Sequence, residues 1–114
     1  MNIEAFRDHC LSKSGVTEGF PFDKTTLVFK VAGKMFALAS IELFEYVNLK
    51  CDPERAIELR ETYNGVKSGY HMNKRLWNSV SVDSDVPELL FIELVDHSYD
   101  LVVKSLPKRL RDGV

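Results

Sequence analysis

The chain has 114 residues, 45% of them hydrophobic and 28% charged, with a formal net charge of −2. That balance excludes a disordered chain, and no apolar run approaches the ~20 residues that a helical membrane span requires. Slight acidity gives no global attraction to nucleic acid, so any such binding must come from local charge.

One domain over residues 1–114 is expected, long enough to bury roughly 65% of its unfolded surface. Met1 to Asp8 is polar and acidic, where a signal peptide would be basic and then apolar. Asn2 can cap a first helix over residues 2–13, in which Ile3, Phe6 and Cys10 form one apolar stripe and Ser14-Gly15 marks the end. Cys10 and Cys51 lack metal-ligand spacing, which with such an N-terminus points to reduced thiols and a cytoplasmic protein. Residues 16–23 read as a loop by their Gly and Pro, with Phe20 and Phe22 tucked under the domain edge as anchors.

From Thr26 the period becomes two. Leu27, Phe29 and Val31 alternate with Val28, Lys30 and Ala32, and after Gly33-Lys34 the pattern resumes from Met35 to Ala39, which predicts a β-hairpin. A third strand is predicted over residues 46–51, with Val47, Leu49 and Cys51 on one face and Tyr46, Asn48 and Lys50 on the other. Asp52-Pro53 opens a helix that runs to Tyr63, burying Ala56, Leu59 and Tyr63, and Asn64-Gly65 closes it. Two more extended runs follow, Val66 to His71 and Leu76 to Val82, joined by a polar turn at Asn73-Lys74-Arg75 that would project like a wing. Asp85 and Glu88 have capping-box spacing before a last helix, Pro87 to Ser105, whose Leu90, Phe91, Leu94, Val95, Leu101 and Val102 can cover a sheet. The order α-β-β-β-α-β-β-α predicts an α+β domain, a two-layer sandwich with an antiparallel five-stranded sheet.

Recognition chemistry concentrates between Ser68 and Asn78, a stretch that holds the single Trp of the chain. Between Glu61 and Asp83 there is no carboxylate, yet Lys67, Lys74 and Arg75 fall in that window. The stretch from Asp83 to Asp100 is the opposite: Asp83, Asp85, Glu88, Glu93, Asp96 and Asp100 occur with no Lys or Arg among them, before Lys104, Lys108, Arg109 and Arg111. Acid at a helix start and base at its end match the helix dipole, so part of this segregation has a structural cause.

The run Gly69-Tyr70-His71-Met72-Asn73-Lys74 followed by Trp77-Asn78 resembles the MmcQ/YjbR family of small bacterial proteins. Phe20-Pro21-Phe22, Leu27-Val28-Phe29-Lys30-Val31, Leu49-Lys50-Cys51 with Pro53-Glu54, and Ser98-Tyr99 with Leu106-Pro107-Lys108 extend the resemblance over nearly the whole chain. It implies a compact α+β domain of the double-wing or secretion-chaperone-like kind, and the DNA-binding label that members commonly carry. Ser68 and Leu76 stand where the family motif has Pro and His, and the second change removes a polar side chain from the wing.

Three classes of chemistry compete. For nucleic-acid binding, Lys67, Lys74 and Arg75 would neutralise phosphates, Asn73 and Asn78 would hydrogen-bond, Tyr70 or Trp77 would stack on a base, and His71 would contribute when protonated. With the tail cations included about six phosphates would be engaged, a log–log salt slope no steeper than roughly −5. Core packing is the competing role for Trp77 and Tyr70, and a solvated turn for Lys74 and Arg75. Catalysis is not expected: Cys51 and His71 would need folding to unite them, and no phosphate loop, GxSxG, HExxH or paired-carboxylate motif is present. Asp83, Asp85 and Glu88 could offer oxygen ligands to a hard cation, but capping explains their spacing, so no metal or other cofactor is expected. The sequence reading is therefore a DNA-binding wing from Tyr70 to Asn78; the alternative is a protein-interaction or chaperone-like module, with a protein partner or second copy meeting residues such as Phe20, Phe22 and Tyr46.

Overall fold

A computed structural model describes residues 1–114. The elements are α1 (Ile3–Leu11), β1 (Val16–Gly19), β2 (Thr26–Val31), β3 (Lys34–Ser40), β4 (Tyr46–Lys50), α2 (Pro53–Thr62), β5 (Val66–Ser68), β6 (Trp77–Ser81), α3 (Glu88–Ser105) and α4 (Lys108–Arg111). All strand pairs are antiparallel, in one open sheet of order β1-β2-β3-β4-β6-β5. The sheet has six strands, not the expected five. The extra one is Val16–Gly19, which its Gly and Pro had marked as loop: it pairs with β2 from Val16↔Val31 to Gly19↔Val28, and Arg7 of α1 clasps Glu18 at 2.8 and 2.5 Å. Tertiary partners thus impose extension on a four-residue segment too short to show a period.

Local chemistry explains most of the other elements. The Asn2 side chain accepts from the Ala5 N–H at 2.8 Å and starts α1, and Asp52 does the same for Arg55 N–H at 3.1 Å ahead of Pro53. Ala32 and Gly33, at φ 50° and 79°, form the tight turn of the β2–β3 hairpin, one residue earlier than the expected Gly33-Lys34. The register slips where Phe29 faces Ala37 but Lys30 faces Met35, so Phe36 is an extra residue on β3. That bulge turns both Phe36 and Ala37 into the core.

The helices α1, α2 and α3 bury one face of the sheet. Phe6 sits at the centre, with ring centroids 5.5 Å from Phe29, 5.6 Å from Phe44 and 6.3 Å from Phe91. Leu94, Val95 and Val102 of α3 and Ala56 and Leu59 of α2 belong to the same core. Ser98 sets how α3 lies on it. Its buried hydroxyl donates to the Phe36 carbonyl freed by the bulge, at 2.5 Å, and accepts from the Lys50 N–H at 2.9 Å, beyond the last β3–β4 pair.

The expected capping box at α3 does not form. Pro87 occupies the N-cap without a side-chain bond, and the Asp85 carboxylate instead accepts from the Asn64 and Gly65 N–H groups, both at 2.7 Å, closing the turn after α2. After Leu106 the basic tail folds into α4, which buries none of its residues. No helix is long and apolar enough to cross a membrane.

Two outcomes follow from these polar contacts. Ser98→Ala leaves a buried N–H and C=O without their partner, and is expected to lower unfolding free energy by ~1–3 kcal/mol in urea titration; an unchanged midpoint would show that the bridge does not carry α3. The Gly65 and Asn64 N–H groups hold the Asp85 carboxyl below its ordinary value. Its stabilisation is present above the unfolded carboxyl value of about 4 and lost as pH falls through the lower folded one. Asp85→Asn should therefore lose stability less steeply than wild type between about pH 4 and pH 2, as followed by circular dichroism.

Candidate ligand site on the open face of the sheet

The face of the sheet away from the helices carries Thr26, Val28, Leu38, Ser40, Tyr46, Asn48, Trp77 and Ser79, by strand alternation and register. Part of it is covered by the chain between β5 and β6. This segment does not project as a wing; it folds back onto the sheet. Met72 and Leu76 pack on a small cluster of Val28, Leu38 and Trp77. Strand pairing therefore stops at Ser68 rather than His71: the Gly69 N–H still donates to the Trp77 carbonyl at 2.7 Å, and from Tyr70 the chain turns away to begin the fold-back. Gly69 permits the close approach: a Cβ there would lie 2.7 Å from Trp77 Cβ and 3.1 Å from Met72 Cβ.

A polar relay fastens the segment. The Tyr70 N–H donates to Ser79 Oγ at 2.9 Å, Ser79 Oγ donates to Asn48 Oδ1, and Asn48 Nδ2 donates to the Tyr70 carbonyl at 3.1 Å. Asn48 and Ser79, on adjacent strands, are both buried. Held in this way, the backbone carries His71 at φ 60°, in the left-handed region, with its ring 4.2 Å from that of Tyr70.

The residues expected to bind nucleic acid are divided by this arrangement. Asn78 points to the helical side at 1% exposure; its Oδ1 accepts from Arg60 Nε at 2.7 Å and its Nδ2 donates to the Ala56 carbonyl at 3.3 Å. Asn73 Oδ1 accepts from the N–H groups of Arg75 and Leu76 at 3.0 and 3.1 Å, shaping the turn. Trp77 is buried against Val28 and Leu38, and Lys74 Nζ donates to the Gly69 carbonyl. Lys67 and Arg75 are exposed, with no ion pair. Tyr70 and His71 are exposed too, and they belong to a cavity.

That cavity, about 430 Å³, lies over β3 and β4. The fold-back segment supplies Tyr70, His71 and Met72 on one side, and the β3–β4 connection supplies Leu43 and Glu45 on another. Phe22 and Asp23 of the β1–β2 loop complete the rim. Phe20 and Phe22 are not tucked under the domain edge but stand 47% and 63% exposed. The side chain of Asp23 accepts from the Thr25 and Thr26 N–H groups at 2.9 and 2.6 Å, which turns the loop and holds the carboxyl below its ordinary value. Phe44 adopts φ 42°, a costly conformation for a bulky residue. Its ring is drawn into the core against Phe6, and the adjacent Leu43 is left 69% exposed at the cavity. Tyr46 and Tyr70 meet edge to face, centroids 6.1 Å apart, and burial raises the Tyr46 hydroxyl above its ordinary value.

Folding does not bring Cys51 to His71. Cys51 lies in the helical core, where burial pushes its thiol up to about 11, and Cys10 is pushed up to about 12 by the same cause. The sequence reading had noted Tyr46 but not Leu43, Glu45, Asp23 or the Asn48–Ser79 pair. Asn48 and Ser79 each stand at the middle of a five-residue strand.

Comparison with known proteins places this geometry among relatives. The sequence model of the YjbR family matches residues 11–101. The uncharacterised protein YbdF of Escherichia coli O157:H7 is 40% identical over 91 residues, 79% of this chain and 75% of that protein. The uncharacterised protein YjbR of Escherichia coli K12 is 32% identical over 112 residues, 97% of this chain and 95% of that protein. Among solved structures, the Deinococcus radiodurans protein DR2400, with a DUF419 domain, superposes with a TM-score of 0.93 at 39% identity, covering 98% of this chain and 86% of that one.

The fold-back gives a direct test. Gly69→Ala must displace Trp77 or Met72, and is expected to cost ~1–3 kcal/mol of stability, as overpacking does. Lys67→Ala, at an exposed site, should change stability by less than about 0.5 kcal/mol. Equal effects of the two substitutions in urea unfolding would mean that the segment is not packed as described.

Proposed function

The chain belongs to the YjbR family, and from that premise we propose that it is a binding module that takes a small, largely apolar ligand into the cavity over β3 and β4. The observation that carries this reading is the gathering of Phe22, Leu43 and Tyr70 around one hollow, at 63%, 69% and 57% exposure. Large apolar side chains that cluster in solvent around a concavity are the ordinary mark of a binding surface. Its volume lies within the range of small-molecule sites, roughly 300–1,000 Å³. Below it the Asn48–Ser79–Tyr70 relay provides a rigid, internally satisfied floor.

The nucleic-acid reading draws on less. Asn73, Trp77 and Asn78 are taken up in holding the segment in place and Lys74 is engaged with the Gly69 carbonyl, so Lys67 and Arg75 are the segment's cations without a partner in the fold. Two phosphate contacts from this segment give a shallow salt slope, and any further ones would have to come from the exposed tail cations Lys108, Arg109 and Arg111. Carboxylates of Asp23 and Glu45 at the cavity rim would oppose a phosphate backbone laid across Tyr70.

Nile red, a neutral apolar fluorophore, distinguishes the two. Saturable one-to-one fluorescence enhancement is expected, weakened about tenfold or more by Leu43→Asp or Tyr46→Ala and unchanged by Ile57→Ala or Leu89→Ala, exposed apolar sites on α2 and α3. Absence of saturable binding would overturn the reading. Salt-sensitive binding of labelled DNA that disappears in a Lys67→Ala/Arg75→Ala variant, with no dye site, would put nucleic acid in its place.

A further inference from the structure

We propose that the ligand class of this cavity is a small organic cation: an apolar body carrying an ammonium group. The inference rests on the binding reading above and adds the charge of the occupant. Three observations carry it. First, no Lys or Arg lines the cavity, whereas two carboxylates do, Asp23 and Glu45. Second, neither carboxylate is in an ion pair; the five pairs of the fold all lie elsewhere. Asp23, held ionised by the Thr25 and Thr26 N–H groups, keeps its charge at neutral pH. Third, aromatic side chains line the same cavity. Tyr46 and Tyr70 stand edge to face, and the ring of His71 lies against Tyr70.

Aromatic faces attract a cation through their quadrupole, and the attraction grows as water is excluded. Carboxylates at the same rim compensate the charge that burial would otherwise penalise. An anion would meet the reverse on both counts. A neutral apolar ligand would fill the hollow but gain nothing from the two carboxylates.

The position in the sheet favours a small molecule over an extended peptide. β3 and β4 are interior strands, each paired on both sides. Their backbone groups are therefore unavailable to the strand addition by which sheets capture peptides. Loops ring the cavity on three sides: residues 22–23, 43–45 and 70–72.

The test compares three naphthalene compounds of similar size as competitors of Nile red on the intact chain: naphthylmethyl-trimethylammonium, neutral neopentylnaphthalene and naphthylacetate. The cation is expected to bind about tenfold or more tighter than the neutral compound, and the anion weakest. Glu45→Gln should reduce that preference, and Glu45→Gln with Asp23→Asn should abolish it while Nile red still binds. Asn at position 23 keeps an acceptor for the loop, and Glu45→Gln alone provides the answer if the double variant does not fold. A neutral compound that binds as well as the cation, or an anion that binds better, with Nile red still bound, would overturn the inference and leave the cavity as a binding site. Failure of Nile red and all three compounds would overturn the underlying reading as well. Tighter binding by a lysine-rich peptide than by the small cation would overturn the small-molecule assignment.

Discussion

The open face of this sheet depends on one buried relay, in which Asn48 and Ser79 grip the backbone of Tyr70 from both its N–H and its carbonyl. It fixes the segment between β5 and β6 on the sheet together with the packing of Met72 and Leu76. Each of its buried groups, left without a partner, would cost ~1–3 kcal/mol. Because every member is satisfied, the network rigidifies what it touches. Tyr70 is fixed over Tyr46, His71 is held in a left-handed conformation, and Met72 is set down on the sheet. The cavity is the space that remains between this segment and the β3–β4 connection.

The same economy explains the fate of the basic patch. In the sequence, Lys74, Arg75, Asn73 and Asn78 look like a recognition surface because they are polar, adjacent and free of nearby acid. Folding shows that a segment bent back over a sheet needs polar side chains of its own. Asn73 shapes the turn, Lys74 satisfies the Gly69 carbonyl, and Asn78 ties β6 to α2 through Ala56 and Arg60. Arg60 in turn reaches the Lys74 carbonyl at 2.7 Å, so α2 on one face and the fold-back segment on the other are joined through a guanidinium. Hydrogen-bonding capacity that reads as functional in one dimension is structural in three.

What the sequence made legible follows from the range of the forces involved. Helix starts at Asn2 and Asp52 depend on residues three apart, and the alternation of β2 and β3 on neighbours two apart, so both could be read. β1 could not, since its extension is imposed by β2 and by Arg7, eleven residues from Glu18. Asp85 was misread for a related reason. It is correctly spaced for Glu88, yet its carboxylate is taken by two N–H groups after the end of α2. The family resemblance read from the sequence agrees with the YjbR match. The cavity is farther still from local reading, since its lining comes from four separate stretches of chain.

A two-layer arrangement with helices on one side leaves the other face of its sheet to be dealt with by loops. Here the resolution is uneven. Over Val28, Leu38 and Trp77 the fold-back segment seals the face with Met72 and Leu76. Toward Tyr46 it stops short, since the strain at Phe44 directs that ring into the core and leaves Leu43 outside. Had burial been the only demand, a smaller or polar residue at position 43 would remove the exposed apolar surface at no cost to the core. An outward Leu beside an outward Phe22, above a floor with no unsatisfied polar atom, is the feature of this face that burial and core packing do not account for, and the one on which the proposed binding role rests.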